Sequence, residues 1–498
     1  MLETLALGSA PVTPEQVERV ARHGASVHLE SGARNRIVRG REVLETLLAR
    51  GEKVYGVNTG VGGNIGFSLT AEQVDQFQLN LMNHLSCASG APLPSDVVRA
   101  AMLLRAVTFS TGASAVRPEL VDALLELLNR GVIPVVPRYG SVGASGDLMP
   151  SAYIARTLIG MGEVIYQGKR MTALEGLKAA GLEPIRFAPK EGLALINGTT
   201  VMTGAATLLW ADAWRVFQAV LAAIALTIEA FEAPSEPFEP WVQQAKGHPG
   251  QAAVGAFVLD LLRGSRSVAE SRMQSCYSLR CPPQGLGPVW EALDSARAVL
   301  EREINSANDN PLVDIESCKL YLTGNFYGGH IARLLDGWKI DFAIQATWLH
   351  ALMAILVDTR FNRGLPANLA KEPGLNSGLK GMQLAVTSLT CAIRQMAGPS
   401  SIHALPTEQF NQDVVSLGMH SAVTAMEALE CLRNETAMVL LAAAQAIDLR
   451  PCSDRLGEGT RQIYSKIREV SPFMERDRPM ENDVALVAGR IAAGELHA

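Results

Sequence analysis

The sequence predicts a mainly α-helical protein, in which a long helical bundle follows a smaller mixed α/β N-terminal part. Ala- and Leu-rich stretches with apolar residues at helical spacing dominate the chain from about residue 113 onward. Two of them contain long uncharged segments, residues 216–228 and 342–357, which are typical of helices buried inside a bundle. The first hundred residues instead mix short β-branched pieces with glycine-rich turns.

The elements can be placed in chain order. Residues 26–29 have the β-branched character of a short strand, and residues 50–66 are the segment richest in turn signals. A Pro-rich cluster at 233–237 separates two of the later helices. We therefore expect two parts, a mixed part over residues 1–110 and a helical body over residues 111–498. The predicted helices of the body are 119–128, 199–231, 288–305, 331–358, 377–396 and 421–447.

Composition narrows the class of protein. The 498 residues carry a net charge of −6, and Lys and Arg form no run, so neither nucleic acid nor an anionic membrane is an expected partner. The uncharged segments are too short to predict a membrane span. Seven cysteines without a CxxC pair favour reduced thiols in a cytoplasm, and no signal peptide is apparent. The nine histidines lack the HExxH spacing, so we expect no metal.

The most informative stretch is residues 140–148, Gly-Ser-Val-Gly-Ala-Ser-Gly-Asp-Leu. A phosphate-binding loop is disfavoured, because Asp147 would repel the anion where such loops carry Lys. An ordinary turn with Asp147 as the N-cap of a helix is one alternative. The other is cyclisation, in which the Gly146 nitrogen attacks the Ala144 carbonyl and Ser145 loses its hydroxyl. Loss of two waters would leave an imidazolone with a methylidene carbon, an electrophile that no unmodified side chain provides.

This stretch resembles the signature of the aromatic amino acid ammonia-lyase family, which includes histidine, phenylalanine and tyrosine ammonia-lyases and related 2,3-aminomutases. Five further blocks between about residues 50 and 420 resemble the family in the same order. The resemblance implies a 4-methylideneimidazole-5-one formed autocatalytically from Ala144, Ser145 and Gly146, with no external cofactor. It also implies a homotetramer with shared active sites, in which a carbon–nitrogen lyase removes ammonia from an aromatic L-amino acid and leaves an arylacrylate.

Two blocks carry residues that the family places at the ring. Residues 55–63 resemble a mobile loop whose Tyr55 acts as the base that removes the β-proton. A phenol has a pKa of about 10, so we expect neighbouring positive potential to lower the pKa of Tyr55. Residues 192–199 resemble the block whose Asn197 lies against the ring, where its amide could donate to the ring oxygen. Capping of the long helix that follows is the alternative function of Asn197.

Three further blocks carry or adjoin the remaining site residues. They are residues 277–281, residues 303–312 with the sequence Asn-Asp-Asn-Pro, and residues 407–418. Arg280, in a Tyr-Ser-Leu-Arg block, is expected to hold the substrate carboxylate, because a guanidinium can make two parallel bonds to it. An ordinary ion pair is the alternative. Tyr277 and Gln412 are expected to help position the ring and the base. The predicted substrate-binding residues are His84, Leu85, Gln274, Asn325, Phe326 and Gln412.

Two departures from the family bear on the substrate. Histidine and tyrosine enzymes commonly have Ser-His where this chain has His84-Leu85, and Leu85 favours an apolar aryl group. Ala392 stands where many members have a Glu, which disfavours histidine. The sequence therefore favours phenylalanine or tyrosine, although His84 could supply a polar contact. A 2,3-aminomutase and a helical binding protein with impaired catalysis are the alternative functions.

Overall fold

The computed structural model describes residues 4–268 and 274–496. Within them the chain forms eighteen α-helices and nine short strands, which confirms the mainly helical fold. The helices are α1 Pro14–His23, α2 Ser31–Ala49, α3 Ala71–His84, α4 Ser95–Ser110, α5 Pro118–Asn129, α6 Leu148–Leu158, α7 Ala173–Ala179, α8 Glu191–Ile196, α9 Thr200–Ala230, α10 Pro240–Lys246, α11 Pro249–Leu261, α12 Tyr277–Arg280, α13 Pro282–Ile304, α14 Gly329–Val357, α15 Lys380–Met396, α16 Gly418–Leu449, α17 Glu458–Val470 and α18 Glu481–Ala492.

The strands form four small sheets. β1 pairs with β2 in parallel, and the antiparallel pairs are β3 with β5, β4 with β6, β6 with β7, and β8 with β9. Their bounds are β1 Thr4–Leu7, β2 Ser26–Leu29, β3 Ser89–Pro92, β4 Ile133–Pro134, β5 Pro137–Tyr139, β6 Glu163–Tyr166, β7 Lys169–Thr172, β8 Leu312–Asp314 and β9 Lys319–Tyr321. Short 3-10 helices cover Gly62–Asn64, Glu236–Phe238, Ala367–Leu369, Ser401–His403 and Ser453–Arg455.

All six predicted helices of the body are present, with most ends within three residues of the prediction. The main difference is α13, which begins at Pro282 and not at the predicted Pro288. Proline is favoured in a first helical turn, because its missing N–H has no partner to lose there. Pro288, the first residue of the predicted helix, instead lies inside α13, where it removes one backbone hydrogen bond.

The chain divides into two compact units. The first comprises Met1–Leu208, Arg297–Leu335 and Pro399–Val423, and it contains all four sheets. The second comprises the segments Leu209–Ala296, Asp336–Gly398 and Thr424–Ala498. The predicted boundary after residue 110 falls inside the first unit, at the end of α4.

Two groups of helices organise the first unit. Nearly every side chain of α4 is buried, and this helix packs against α1, α2 and α5. The helices α3, α6 and α8 pack against one another in a second group. Within this group the Gln78 side chain of α3 accepts a hydrogen bond from the Gly192 nitrogen of α8 over 2.9 Å. Of the predicted site residues, His84 ends α3, the triad precedes α6 and Asn197 follows α8, so this group positions these three parts of the site.

In its described residues the second unit contains helices joined by loops and none of the strands β1–β9. An aromatic cluster joins α9 to α13, where the ring centroids of Trp214 and Trp290 lie 5.0 Å apart in an edge-to-face arrangement. The Trp210 indole donates to the Leu293 carbonyl over 2.8 Å. The hydrogen bond gives the buried Trp210 N–H a partner, and both contacts join α9 to α13.

Two helices are long and apolar enough to span a membrane. They are α9 and α14. In the most apolar 18-residue stretch of each helix, 72% of α9 and 44% of α14 is buried inside the protein. The sequence argument from the length of the uncharged segments is therefore wrong for these helices, because each continues well beyond its uncharged segment. Burial inside a folded core explains the apolar composition of α9 more directly.

A buried carboxyl group in the second unit makes stability depend on pH. Glu435 on α16 is fully buried, and its Oε1 accepts a hydrogen bond from Thr390 Oγ1 over 2.8 Å. Its Oε2 has no partner among the residues of the structure. Burial raises the pKa of Glu435 to about 8. The unfolded chain therefore loses this proton before the folded protein does, and Glu435 lowers stability progressively as pH rises from about 4.5 to about 8.

We expect Glu435→Gln to gain stability over the wild type as pH rises, because the amide keeps the bond to Thr390 and never ionises. The gain at pH 9 relative to pH 5 should be at most about 4 kcal/mol. Thermal unfolding of both proteins at the two pH values measures it. Glu430→Gln, an exposed change on the same helix, is the control. A gap between Glu435→Gln and wild type that does not vary with pH would contradict the expectation.

Candidate active site

The Ala144-Ser145-Gly146 triad lies in the loop between β5 and α6. Ser145 and Gly146 both have left-handed backbone conformations, with φ angles of 47° and 78°. A Cβ atom at position 146 would overlap the carbonyl oxygen of Gly198, so only glycine fits there without displacing backbone. The Gly146 nitrogen donates to the Gly143 carbonyl over 3.3 Å and closes a tight turn. The triad thus lies at a tight turn with left-handed backbone at its last two residues.

Gly198 holds the triad through two backbone hydrogen bonds. Its nitrogen donates to the Ser145 carbonyl oxygen over 3.0 Å, and its own carbonyl accepts from the Asp147 nitrogen over 2.7 Å. If the Gly146 nitrogen closes on the Ala144 carbonyl carbon, the Ser145 carbonyl oxygen becomes the ring oxygen. A backbone N–H therefore already faces the oxygen that would carry negative charge during the reaction.

Asp147 occupies the N-cap position of α6, as one alternative from the sequence predicts, but its side chain makes no capping hydrogen bond there. Its Oδ2 instead accepts hydrogen bonds from the nitrogens of Val201 and Met202, over 2.9 Å and 2.8 Å, at the start of α9. Asp147 is fully buried, and burial raises its pKa to about 7 although these two bonds oppose the shift. Asp147 thus connects the triad loop to the start of α9 through hydrogen bonds.

Asn197 ends α8 and does not cap α9, which removes the capping alternative. Its Nδ2 donates to Asp309 Oδ1 over 3.2 Å and to the Asn310 carbonyl over 2.7 Å. An amide NH₂ group has two hydrogens, so both are engaged. In this conformation the side chain does not have the free N–H that donation to the ring oxygen would need.

Tyr55 is half-buried in the glycine-rich loop, and its hydroxyl oxygen accepts a hydrogen bond from the Gly62 nitrogen over 2.9 Å. Burial raises the pKa of Tyr55 above 10, the Gly62 N–H lowers it, and the nearby Glu408 carboxylate raises it. The positive potential expected from the sequence does not outweigh burial within the first unit. The phenolate of Tyr55 is therefore disfavoured in the isolated chain.

The turn that carries Gln412 packs directly on the Tyr55 loop. The Thr407 nitrogen donates to the Gln412 carbonyl over 3.0 Å, and residues 408–410 between them all have positive φ. A Cβ at Gly62 would overlap the Glu408 carboxylate, so the two backbones approach closely. Gln412 itself is half-buried. The fold therefore brings two segments together that lie about 350 residues apart in sequence.

The end of α3 presents His84 and not Leu85. His84 is exposed, and its Nδ1 lies 2.9 Å from the Asn80 carbonyl oxygen, which fixes Nδ1 as the protonated nitrogen. In the neutral imidazole with this tautomer, Nε2 is an acceptor. Leu85 has only 7% of its surface exposed and belongs to the core of the first unit. The polar contact considered for His84 thus has more support from the geometry than an apolar wall at Leu85.

Asn325 and Phe326 follow β9 in a loop that is connected to the Asn-Asp-Asn-Pro block. The Asn325 nitrogen donates to Thr323 Oγ1 over 3.2 Å, and the Thr323 nitrogen donates to Asn310 Oδ1 over 2.7 Å. Asn325 is exposed and Phe326 is half-buried. The loop is therefore positioned by the same block that engages Asn197.

The remaining predicted residues belong to the second unit. Arg280 is half-buried at the end of α12, with its guanidinium carbon 5.0 Å from the centre of the Tyr277 ring. Its buried Nε has no hydrogen-bond partner in the parts of the chain that the structure covers. Tyr277 and Gln274 are exposed. Ala392 is half-buried on α15 and supplies no carboxylate.

Sequence reasoning missed several residues that build this site. Gly198 and Asp309 lie inside blocks that resemble the family, but a glycine or an aspartate in such a block does not by itself predict its hydrogen-bond partners. Lys190 and Arg105 carried no local signal, since a cation is ordinarily solvent-exposed. Both are almost completely buried, and Arg105 donates to the Asn197 carbonyl over 2.9 Å. Within residues 4–268 and 274–496, no group of three or more His, Cys, Asp or Glu could hold a metal ion.

Comparison with known proteins agrees with the fold and with the family that the sequence motifs resemble. The aromatic amino acid lyase family matches residues 12–469. Histidine ammonia-lyase of Stigmatella aurantiaca is 39% identical over 97% of this chain and 95% of its own. Among solved structures, Pantoea agglomerans phenylalanine aminomutase has a TM-score of 0.94 at 33% identity, covering 98% and 99% of the two chains. Histidine ammonia-lyase from Trypanosoma cruzi has a TM-score of 0.91 at 31% identity, covering 99% and 94%.

The fold, the triad loop and these matches define a carbon–nitrogen lyase. The chain belongs to the aromatic amino acid lyase family, as its sequence motifs predicted. The predicted preference for phenylalanine or tyrosine gains no support from the relatives, because the Stigmatella protein is named for histidine.

Proposed function

We propose that the protein eliminates ammonia from an aromatic L-amino acid, using an electrophilic ring made from Ala144, Ser145 and Gly146. The observation that carries this proposal is the fit at Gly198. Its carbonyl leaves no space for a side chain at position 146, and its N–H donates to the Ser145 oxygen. The first feature favours attack by an unhindered Gly146 nitrogen, and the second withdraws electrons from the product of that attack.

The ring, 4-methylideneimidazole-5-one, supplies an electrophilic methylidene carbon that turns the substrate amine into a leaving group. The side chains of this protein perform the other tasks. Tyr55 accepts the β-proton of the substrate at its hydroxyl oxygen. Arg280 binds the substrate carboxylate through its guanidinium, whose buried Nε is available for a partner. Tyr277 and Gln412 orient the reacting groups.

The proposed substrate contacts lie around these groups. We propose that the substrate contacts His84, Leu85, Gln274, Asn325, Phe326 and Gln412. The proposed reaction uses no metal. Because the family resemblance implies shared active sites and several of these residues are exposed, we propose that the sites are completed in a homotetramer. We further propose that this assembly functions in the cytoplasm.

Histidine is the substrate that we propose to test first. Relatives named histidine ammonia-lyase support it, as does the exposed Nε2 of His84, which could accept a hydrogen bond from a protonated imidazole nitrogen. Phenylalanine and tyrosine remain the alternatives, because Ala392 provides no carboxylate for a polar ring. An aminomutase is the second candidate function, since a phenylalanine aminomutase has the same fold over almost the whole chain.

We expect the purified protein to convert one of these three amino acids to its arylacrylate with release of free ammonia. Growth of the arylacrylate absorbance, followed separately for histidine, phenylalanine and tyrosine, measures the reaction. Chromatography of the same mixtures distinguishes an arylacrylate from the β-amino acid that an aminomutase would form. A preparation that has lost two waters by intact mass, yet changes none of the three, would contradict the proposed substrate class.

A further inference from the structure

An ion pair lies completely inside the first unit, next to the triad. Lys190 Nζ and Asp309 Oδ2 are 2.9 Å apart, and neither side chain has any exposed surface. Lys190 has a left-handed backbone conformation with φ of 77°, which is unfavourable for a residue with a Cβ atom. It directly precedes α8, the helix that ends at Asn197.

Stability alone gives a weak reason for this arrangement. Two charges removed from water lose hydration energy that their attraction repays only in part, and apolar residues of similar size are often as stable. Burial lowers the pKa of Lys190, although Asp309 opposes that shift. The position of a neighbouring side chain therefore explains the buried Lys190–Asp309 pair better than stability does.

The group that it holds is the Asn197 amide. Asp309 uses Oδ2 for Lys190 and Oδ1 for Asn197 Nδ2. Oδ1 also accepts from the Asn310 nitrogen over 2.6 Å, so the lysine and this N–H together fix which carboxylate oxygen faces the amide. The second Asn197 N–H bonds to the Asn310 carbonyl, and Arg105 donates to the Asn197 backbone carbonyl. Among the hydrogen bonds of residues 4–268 and 274–496, none ends on Asn197 Oδ1.

We propose that Lys190 and Asp309 are positioning residues of the lyase, which turn both N–H groups of Asn197 into the protein and leave its Oδ1 as a hydrogen-bond acceptor. This inference rests on the proposed function. The negative charge on Asp309 polarises the amide and strengthens Oδ1 as an acceptor. An acceptor suits the N–H groups of the substrate amine, whereas the Ser145 carbonyl oxygen, which would become the ring oxygen, accepts its bond from the Gly198 nitrogen.

Two variants test this role. Lys190→Met keeps most of the side-chain volume and removes the charge, and Lys190→Met/Asp309→Asn leaves no unpaired charge in the interior. The whole enzyme is measured by intact mass, thermal unfolding, kcat and KM. For both variants we expect the loss of two waters to be retained, KM to stay within a few fold, and kcat per ring-bearing site to fall by about tenfold or more.

The neighbouring ion pair provides a matched control. Glu191 is also fully buried and pairs with Arg117 over 2.8 Å, but this pair has no bond to Asn197. Glu191→Gln should lower the unfolding temperature and leave kcat per ring-bearing site unchanged. A kcat per ring-bearing site that is equal in wild type and the double variant, or that falls as far in Glu191→Gln, would overturn the positioning role. A wild-type protein without mass loss or turnover would instead refute the proposed function itself.

Discussion

Gly146→Ala is expected to leave the protein at its full sequence mass and to reduce turnover by at least about a thousandfold, the size of effect seen when a nucleophile or electrophile is removed. The added Cβ would meet the Gly198 carbonyl oxygen, and φ of 78° is strained for alanine. The 145–146 peptide must then move away from the position that allows ring closure. Intact mass and the initial rate of arylacrylate formation measure both parts of the prediction.

Backbone strain and steric overlap can be separated in this experiment. Gly168, in the turn between β6 and β7, has φ of 76°, but no atom lies within 4 Å of a Cβ at that position. Gly168→Ala therefore introduces the same conformational cost without the overlap. We expect it to lose two waters normally and to keep its turnover. If Gly146→Ala also lost two waters and turned over at a comparable rate, position 146 would not limit ring formation.

Helices of the body could be predicted from the sequence because burial imposes a period on each of them. The helix α9 was predicted as 199–231 and is Thr200–Ala230, and α16 was predicted as 421–447 and is Gly418–Leu449. The start of α13 was wrong, since a proline inside a helix has the same local sequence as a proline that begins one. The spacing of apolar residues thus predicts the presence of a helix more accurately than it predicts where the helix begins and ends.

Site residues could be predicted only where a block of sequence identified them. The triad, Tyr55 and Asn197 were located in this way, but the direction of the Asn197 amide was not. That direction depends on Asp309, which is 112 positions away, and through it on Lys190. Hydrogen bonds between distant segments leave no period or spacing in a single sequence, so the partners of a polar side chain appear only in the folded chain.

The assignment of Tyr55 as the base leads to the second large effect. Tyr55→Phe keeps the aromatic ring and removes the only atom that can accept a proton. We expect turnover to fall by about 10²–10⁴-fold, the usual contribution of a general base. Intact mass should still show the loss of two waters, because Tyr55 takes no part in the backbone contacts of the triad. The combination of a complete ring and a slow reaction separates proton transfer from ring formation.

Tyr153→Phe is the matched control, since the Tyr153 hydroxyl also accepts one backbone N–H, from Ala88 over 3.1 Å. Loss of that bond should affect stability more than turnover.

The pH dependence of turnover distinguishes Tyr55→Phe from the wild type in a second way. Burial and Glu408 raise the pKa of Tyr55, so only a small phenolate fraction exists near neutral pH and wild-type kcat should increase as pH rises. Tyr55→Phe has no phenolate to form, and its residual rate should lack this increase. A variant that retained both the wild-type rate and its rise with pH would show that another group removes the proton.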